Sequence, residues 1–444
     1  MTRLLLHTWL PQLVMAACWL TGSQVAAQGW LADRSLTEGQ GIRAGNLELH
    51  PGIGTEVGYD SNVFRHESDP ISSPILRVSP HLDVSTLGQQ RSASPRKTPP
   101  SVSFRGGIGA QAYLYLADYT PPANFEGDLS GDLVINPERP FSLALTEHLI
   151  YGFRPFGQAN PRAALPDYRR IQNLAGARAQ FASASGMFRT SLGYTFGVDR
   201  FVGQEFRWGS NLEHDGKLET SWSFLPFTTL LHQLQITRRS YSDTTAGIGS
   251  PLLLSSGSRV SSRIGLHGAI TRKLSLTVLA GYAAGFYALG DDFDDIVGQL
   301  ELRWSSSRTT SLVLGYDRGV FNSFLGNFRR IDKAYAKAQA LMGGRFLVRA
   351  EVSGALHSFG AVLGTDLIQV GRTLDRLDPT IDATLFAEYR AAHWFGINTS
   401  LAYQANLTDY EFDLQRLGVP TAPITVDPAR FNRLEAWLGL RVFY

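Results

Sequence analysis

The sequence predicts an all-β protein, a single transmembrane antiparallel β-barrel of about eighteen strands, within a range of about fourteen to eighteen. Three observations carry that expectation. The last stretch has one unbroken apolar face, apolar and polar residues alternate repeatedly along the chain, and the connections between the alternating runs are long and short in turn.

The chain ends LEAWLGLRVFY, Leu434 to Tyr444. Leu434, Ala436, Leu438, Leu440, Val442 and Tyr444 fall on one side of a period-two pattern, with Glu435, Trp437, Gly439, Arg441 and Phe443 on the other. A strand facing lipid has reason to keep such a face, and a terminal tyrosine suits the headgroup level. The stretch resembles the C-terminal signal of bacterial outer-membrane barrels, carried here by Gly439, Val442 and Tyr444. Trp437 stands where that signal more usually has a polar residue. The resemblance implies recognition by the barrel-assembly machinery.

From Leu47 onward the same alternation recurs. Leu47, Leu49, Ile53, Val57 and Tyr59 oppose Glu48, His50 and Glu56. Pro51 sits on the apolar side, which suits an irregular strand start. Leu76, Val78, Leu82 and Val84 oppose Arg77, His81 and Asp83, and Ile108 and Leu114 oppose Arg105, Gln111, Tyr113 and Tyr115. Phe125, Leu129 and Leu133 oppose Asp128 and Asp132, carboxylates that are reasonable only toward water. Weaker runs begin near Phe141 and Ile171. Clearer ones contain Leu192, Leu218, Leu234, Ile264 (with Arg259 and Arg263 opposite), Val278, Leu300 and Leu314. Ala334, Ala336, Ala338 and Ala340 alternate with Lys333, Tyr335, Lys337 and Gln339, which favours strand over helix despite the alanines. Val348 and Val352 oppose Arg345 and Arg349, and Leu385 and Leu401 mark the last runs before the final one.

The connections give an independent check. Those starting at Asp60, Gly152, Ser240, Ser358 and Thr408 are long, while those at Asn136, Ser183, Leu225, Thr271, Gly343 and Ala391 are short turns. Gly88 to Ser101, basic and proline-bearing, is a long connection on the turn side. Closure of such a sheet leaves no open edge and satisfies the backbone inside lipid. A barrel of this size leaves a water-filled lumen.

The N-terminus reads as a signal peptide, residues 1–27. Arg3 precedes an apolar run, and Val25-Ala26-Ala27 suits cleavage before Gln28. The domain plan is then a signal peptide at 1–27, a polar periplasmic leader at 28–46 and the barrel at 47–444, with both mature ends periplasmic. The one cysteine, Cys18, lies in the signal segment, so thiol and disulfide chemistry is not expected of the mature chain. Net charge of +2 gives no reason to expect a nucleic-acid partner.

Motifs for catalysis, phosphate loops or cysteine–histidine metal sites are missing, so neither an enzyme nor a cofactor is expected. Asp291, Asp292, Asp294 and Asp295 form the one carboxylate cluster, placed in an outer loop. They are weak candidates for Ca²⁺ or for bridging lipopolysaccharide through divalent ions. A solvated acidic loop is the simpler reading. The candidate lumen-lining residues are Arg105, Tyr113, Tyr115, Asp128, Asp132, Arg259, Arg263, Arg345, Arg349 and Trp437.

The opening stretch, residues 41–87, resembles the beta-barrel porin 2 family of outer-membrane proteins. The resemblance rests on Pro51, the run Tyr59-Asp60-Ser61-Asn62-Val63-Phe64, the acidic loop ending near Asp69, and Pro80. Asp, Ser and Asn also begin turns well by bonding their own backbone. The resemblance implies an outer-membrane location, lipid and lipopolysaccharide as surroundings, and export of an exopolysaccharide with a periplasmic export protein as partner. The basic segment Arg91 to Lys97 is the candidate docking element. Tyr113, Tyr115 and Trp437 are candidate faces along which sugar rings slide. A general small-solute porin and an outer-membrane hydrolase are the alternatives.

Overall fold

A computed structural model describes residues 41–444 apart from 68–69, 87–99, 118–122, 153–168, 203–206, 208, 242–254, 289, 291, 308, 324–326, 361–375 and 414–425. The signal peptide, Cys18, Asp69, Asp291 and the basic segment Arg91 to Lys97 therefore lie outside the described residues.

The strands in chain order are β1 (Ile42–Ala44), β2 (Leu47–Asp60), β3 (Ser73–Thr86), β4 (Val102–Tyr115), β5 (Ala123–Ile135), β6 (Phe141–Gly152) and β7 (Arg170–Ala182). Then come β8 (Phe188–Phe201), β9 (Asn211–Leu225), β10 (Thr228–Tyr241), β11 (Gly257–Ala269), β12 (Leu274–Tyr287), β13 (Phe293–Ser305) and β14 (Thr310–Asn322). The last are β15 (Phe328–Met342), β16 (Phe346–Phe359), β17 (Leu377–Ala392), β18 (Phe395–Asn406), β19 (Glu411–Asp413), β20 (Val426–Pro428) and β21 (Phe431–Phe443). Each long strand pairs antiparallel with its neighbours in sequence, and β21 pairs with both β18 and β2. Of the nineteen strands in this sheet, β1 is a short appendage on β2, so eighteen close the ring. The β19–β20 hairpin stands apart as a second sheet.

Of the polar leader expected at 28–46, residues 28–40 lie outside the described residues. Ile42–Ala44 folds back on Leu47–Leu49, with Gly45 at φ 63 in the turn. A left-handed turn glycine makes that hairpin possible where composition alone suggested coil.

The outward side chains explain why the strands alternate. On β21 and the residue that follows it, Leu434, Leu438, Leu440, Val442 and Tyr444 face out, while Arg433, Trp437, Gly439, Arg441 and Phe443 are buried inward. Around the wall, outward aromatics gather in two bands. Phe141, Phe188, Trp222, Phe227, Trp304, Trp394 and Tyr444 lie at the turn end, and Tyr59, Phe125, Tyr282 and Tyr403 toward the loop end. Aliphatic residues such as Leu192, Ile264, Leu300 and Leu385 fill the belt between. An apolar belt between aromatic girdles on a closed barrel is the signature of a lipid-facing wall. The alanine-rich run is strand β15, as its alternation requires.

One stretch of wall departs from regular pairing. The β13–β14 ladder ends at Gly298 opposite Arg318, although both strands run on. Side chains fill the gap. Arg318 Nε donates to the Ile296 carbonyl at 3.0 Å and Nη2 to Asp295 at 2.8 Å, while Arg330 Nη1 reaches Asp295 at 2.7 Å. This corrects the outer-loop placement of the acidic cluster. Asp294 and Asp295 are strand residues, Tyr282 donates its hydroxyl to Asp294, and Asp292 caps the Tyr287 amide at 2.8 Å. No group of three or more His, Cys, Asp or Glu that could hold a metal occurs among the described residues.

Candidate functional site

The site is the inner wall, and its densest part spans the closure between β2 and β21. Glu56, on the inward face of β2, accepts from Arg77 Nε of β3 at 2.5 Å and from Asn398 Nδ2 of β18 at 3.2 Å. The Arg77 guanidinium lies 4.1 Å from the Trp437 ring centroid and 5.9 Å from that of Tyr113. Tyr113 in turn donates to Glu126 at 3.0 Å. Tyr115, Ile75 and Trp437 complete this cluster with Tyr113.

These aromatics do face inward, but as packed filler. Tyr113 is 0% exposed and Trp437 5%. Their rings are covered by Arg77 and by one another, so they offer no open face to a sugar. A period-two pattern fixes the direction of a side chain and not what lies over it.

Gly439 has a physical reason to be glycine. A Cβ there would overlap Glu56 Cγ and Asn398 Oδ1. The residue singled out as part of an assembly signal thus leaves room for the Glu56–Asn398 contact across the seam.

Two further ion clusters bracket that contact. Toward the turns, Glu388 of β17 is 0% exposed and binds Arg441 Nη1 at 2.6 Å, with Arg390 Nε at 3.5 Å. Toward the loops, Asp60 accepts from Arg433 Nε at 3.0 Å and caps the Asn62 amide at 3.0 Å. Asn62 Nδ2 donates to the Asn432 carbonyl at 2.9 Å, and Ser61 Oγ accepts from the Leu434 amide at 2.8 Å. The Asp60-Ser61-Asn62 run does form the turn its composition suggests. It also clasps the last strand to the first.

The remaining wall carries both signs of charge. His148 meets Asp128 at 2.7 Å, Arg170 meets Asp199 at 3.0 Å, and Arg239 donates to Glu213 at 2.9 Å. Arg259 donates to Thr237 at 3.3 Å and to the Val320 carbonyl. Arg263 pairs with Asp317 at 3.4 Å. Tyr335 lies between Lys333 and Lys337, 5.9 and 5.2 Å from its ring, and donates to Glu301 at 2.9 Å. Arg105 and Asp132 are register partners through the neighbouring strands β4 and β5. Arg349 faces inward opposite Gln339 and Phe386.

Arg345 is a correction. It lies in the Gly343-Gly344-Arg345 turn, exposed and outside any strand, because two left-handed glycines end β15 at Met342. It is not a lumen residue.

Arg433, Arg441, Glu388 and the Arg376–Asp378 pair, joined by Nε donation at 2.8 Å, were not among the candidate lumen residues, although Arg441 falls on the polar side of the final strand. Inward parity on the final strand was the available signal for the first two. Their partners lie 373 and 53 residues away, which local pattern does not reveal.

The fold and the two-faced wall define a transmembrane β-barrel. No family model matches the chain, and no curated protein matches it. Among solved structures, it is similar to OccK2 (OpdF) of Pseudomonas aeruginosa, with a TM-score of 0.45 and 10% identity over 89% of this chain and 98% of that one. It is similar to the FrpB iron transporter from Neisseria meningitidis, with a TM-score of 0.46 and 8% identity over 93% and 82%. For OccAB3 of Acinetobacter baumannii the TM-score is 0.44 and the identity 10%, over 90% and 100%. No inference about cargo follows from likeness of this degree.

Proposed function

We propose that the protein is an outer-membrane conduit for polar cargo, and that the cargo is an exopolysaccharide leaving the cell. The conduit reading is supported by the contrast between the two faces of the wall. The outside is an apolar belt between aromatic bands, while the inside carries Arg77, Arg239, Arg263, Lys333, Asp128, Glu213, Asp317 and Glu301. An inner wall of that kind suits hydrated solutes.

The export reading rests solely on the sequence resemblance of residues 41–87 to the beta-barrel porin 2 family, which no family-model match accompanies. In this reading the N-terminal segment is cleaved after Ala27, both mature ends are periplasmic, and a periplasmic export protein docks on the turn side through Arg91 to Lys97. The protein acts without a cofactor and is not an enzyme.

A deletion strain tests it. Loss of surface polysaccharide, with polymer or precursor retained inside, is the expected result. Normal surface polysaccharide with slower uptake of small solutes would replace export by general diffusion. A barrel lacking Arg91 to Lys97 that restores polysaccharide would remove the docking element alone.

A further inference from the structure

The inner wall is polar along much of its length, but near the loop end β12 and β13 turn Ala283, Phe293 and Val297 inward, and all three are buried. An apolar patch on the wall of a water-filled bore needs a cover. That cover is the loop end of β14 and β15. The β13–β14 ladder stops at Gly298 opposite Arg318, yet β14 and β15 stay paired as far as Asn322 opposite Phe328. Beyond Arg318 these two strands run on as a ribbon free of β13. Val320 of the ribbon is buried in the same apolar cluster, and the Phe328 ring packs on Phe293 with centroids 4.7 Å apart. Period two from the outward Leu314 and Tyr316 would aim Val320 at lipid, so the chain leaves the wall between Tyr316 and Val320.

Polar contacts give the direction of the departure. Arg263 of β11 donates from Nη2 to the Arg318 carbonyl at 3.2 Å and from Nη1 to Asp317 at 3.4 Å. Arg259, also of β11, donates from Nη1 to the Val320 carbonyl. Tyr241, the last residue of β10, donates its hydroxyl to the Ser323 carbonyl at 3.5 Å. In an unbroken wall β10 and β14 stand four strand spacings apart, about 19 Å. One tyrosine side chain and one hydrogen bond do not span that gap. The ribbon therefore leans into the ring, across the inner faces of β13, β12 and β11. Gly319 at its base suits the close approach, since a Cβ there would stand 3.3 Å from Arg263 Nη2. A strand layer laid on the inside of a wall takes about 10 Å from the bore.

We propose that this in-folded ribbon is the narrowing of the pore. Held to the wall by Arg259, Arg263 and Tyr241 and by the apolar cluster beneath it, it sets the largest cross-section that passes the loop end. The proposal rests on the conduit reading and is indifferent to the direction of transport.

Single-molecule conductance in planar bilayers tests it. The wild-type protein is compared in potassium chloride with a variant in which residues 319–331 are replaced by a short glycine–serine turn. That change cuts the hairpin back to its Arg318–Asp332 pair, below the ribbon. Conductance of the shortened variant should rise at least twofold. Polyethylene glycols too large to lower the wild-type current should lower that of the variant. A heat-modifiable variant with wild-type conductance and the same polymer cut-off would overturn the narrowing and leave the conduit reading standing. No conductance from either protein would overturn the conduit reading, and the narrowing with it. A second variant leaves every strand its full length. Arg259→Ser with Val320→Asp removes one anchor and places a carboxylate in the apolar cluster. Its current should switch between the wild-type level and a higher one, and a steady wild-type level would overturn the proposal.

Discussion

The amide of Tyr444, the last residue, donates to the carbonyl of Pro51 at 3.0 Å. Proline supplies no N–H, so at this register position the bond depends on the carbonyl alone. The end of β21 is tied to the start of β2 by backbone, while the Tyr444 ring faces out in the turn-end band. Deleting Val442 to Tyr444 removes both ties. The barrel should then be lost from the outer-membrane fraction when its heat-modifiable form is measured by gel shift. Tyr444→Ser keeps the amide and should reduce assembled barrel less than the deletion does.

The outward Leu266 and the inward Arg263 share β11. Leu266→Arg should cost about 2–4 kcal/mol if the position is near the midplane. Arg263→Leu breaks a part-exposed ion pair with Asp317 and should cost about 1 kcal/mol or less. Urea unfolding in lipid vesicles would compare the two, and the reverse order would refute the face assignment.

Glu388 is buried between Arg441 and Arg390. Truncation to alanine leaves guanidinium groups without their carboxylate, and should cost about 3–5 kcal/mol. Replacing Glu388 and Arg441 together by leucine should recover much of that loss. The same unfolding measurement checks both variants.

Arg318 bridges the gap where the β13–β14 ladder stops. Arg318→Ala leaves the Ile296 carbonyl without that donor and frees one side of Asp295. Amide hydrogen exchange in nanodiscs should rise at residues 293–297 and 319–322 and stay unchanged in β16 and β17. Uniform exchange across the barrel would show that Arg318 does not hold this stretch.

The barrel was largely legible because lipid imposes one rule at every turn. A strand such as β21 must be apolar on one side for its whole length, and alternation records that directly. Length of connection added the strand order, since Asn136 to Pro140 is a turn while Gly152 and Arg170 are separated by a long connection. The inner wall was legible only in direction. Trp437 shares the inward side of β21 by parity, yet its cover by Arg77 depends on β2, β3 and β21 meeting side by side. Arg345 was misplaced because the two glycines before it end the strand, an event that period two does not encode. Asp295 looked like a loop residue because its partners, Arg318 and Arg330, come from two later strands.

The Asp60–Arg433 clasp has a consequence for the order of events in folding. Its two residues are 373 positions apart, so no part of it exists until almost the whole chain has been made and delivered. Until then β2 and the growing sheet each present an unpaired edge, the state most open to wrong partners. Closing so long a loop is slow on entropic grounds. Weakening Asp60 should therefore act more on the rate of the final closing step than on the lifetime of the barrel once shut. A carrier that shields the two edges meanwhile would be rate-limiting for arrival in the membrane.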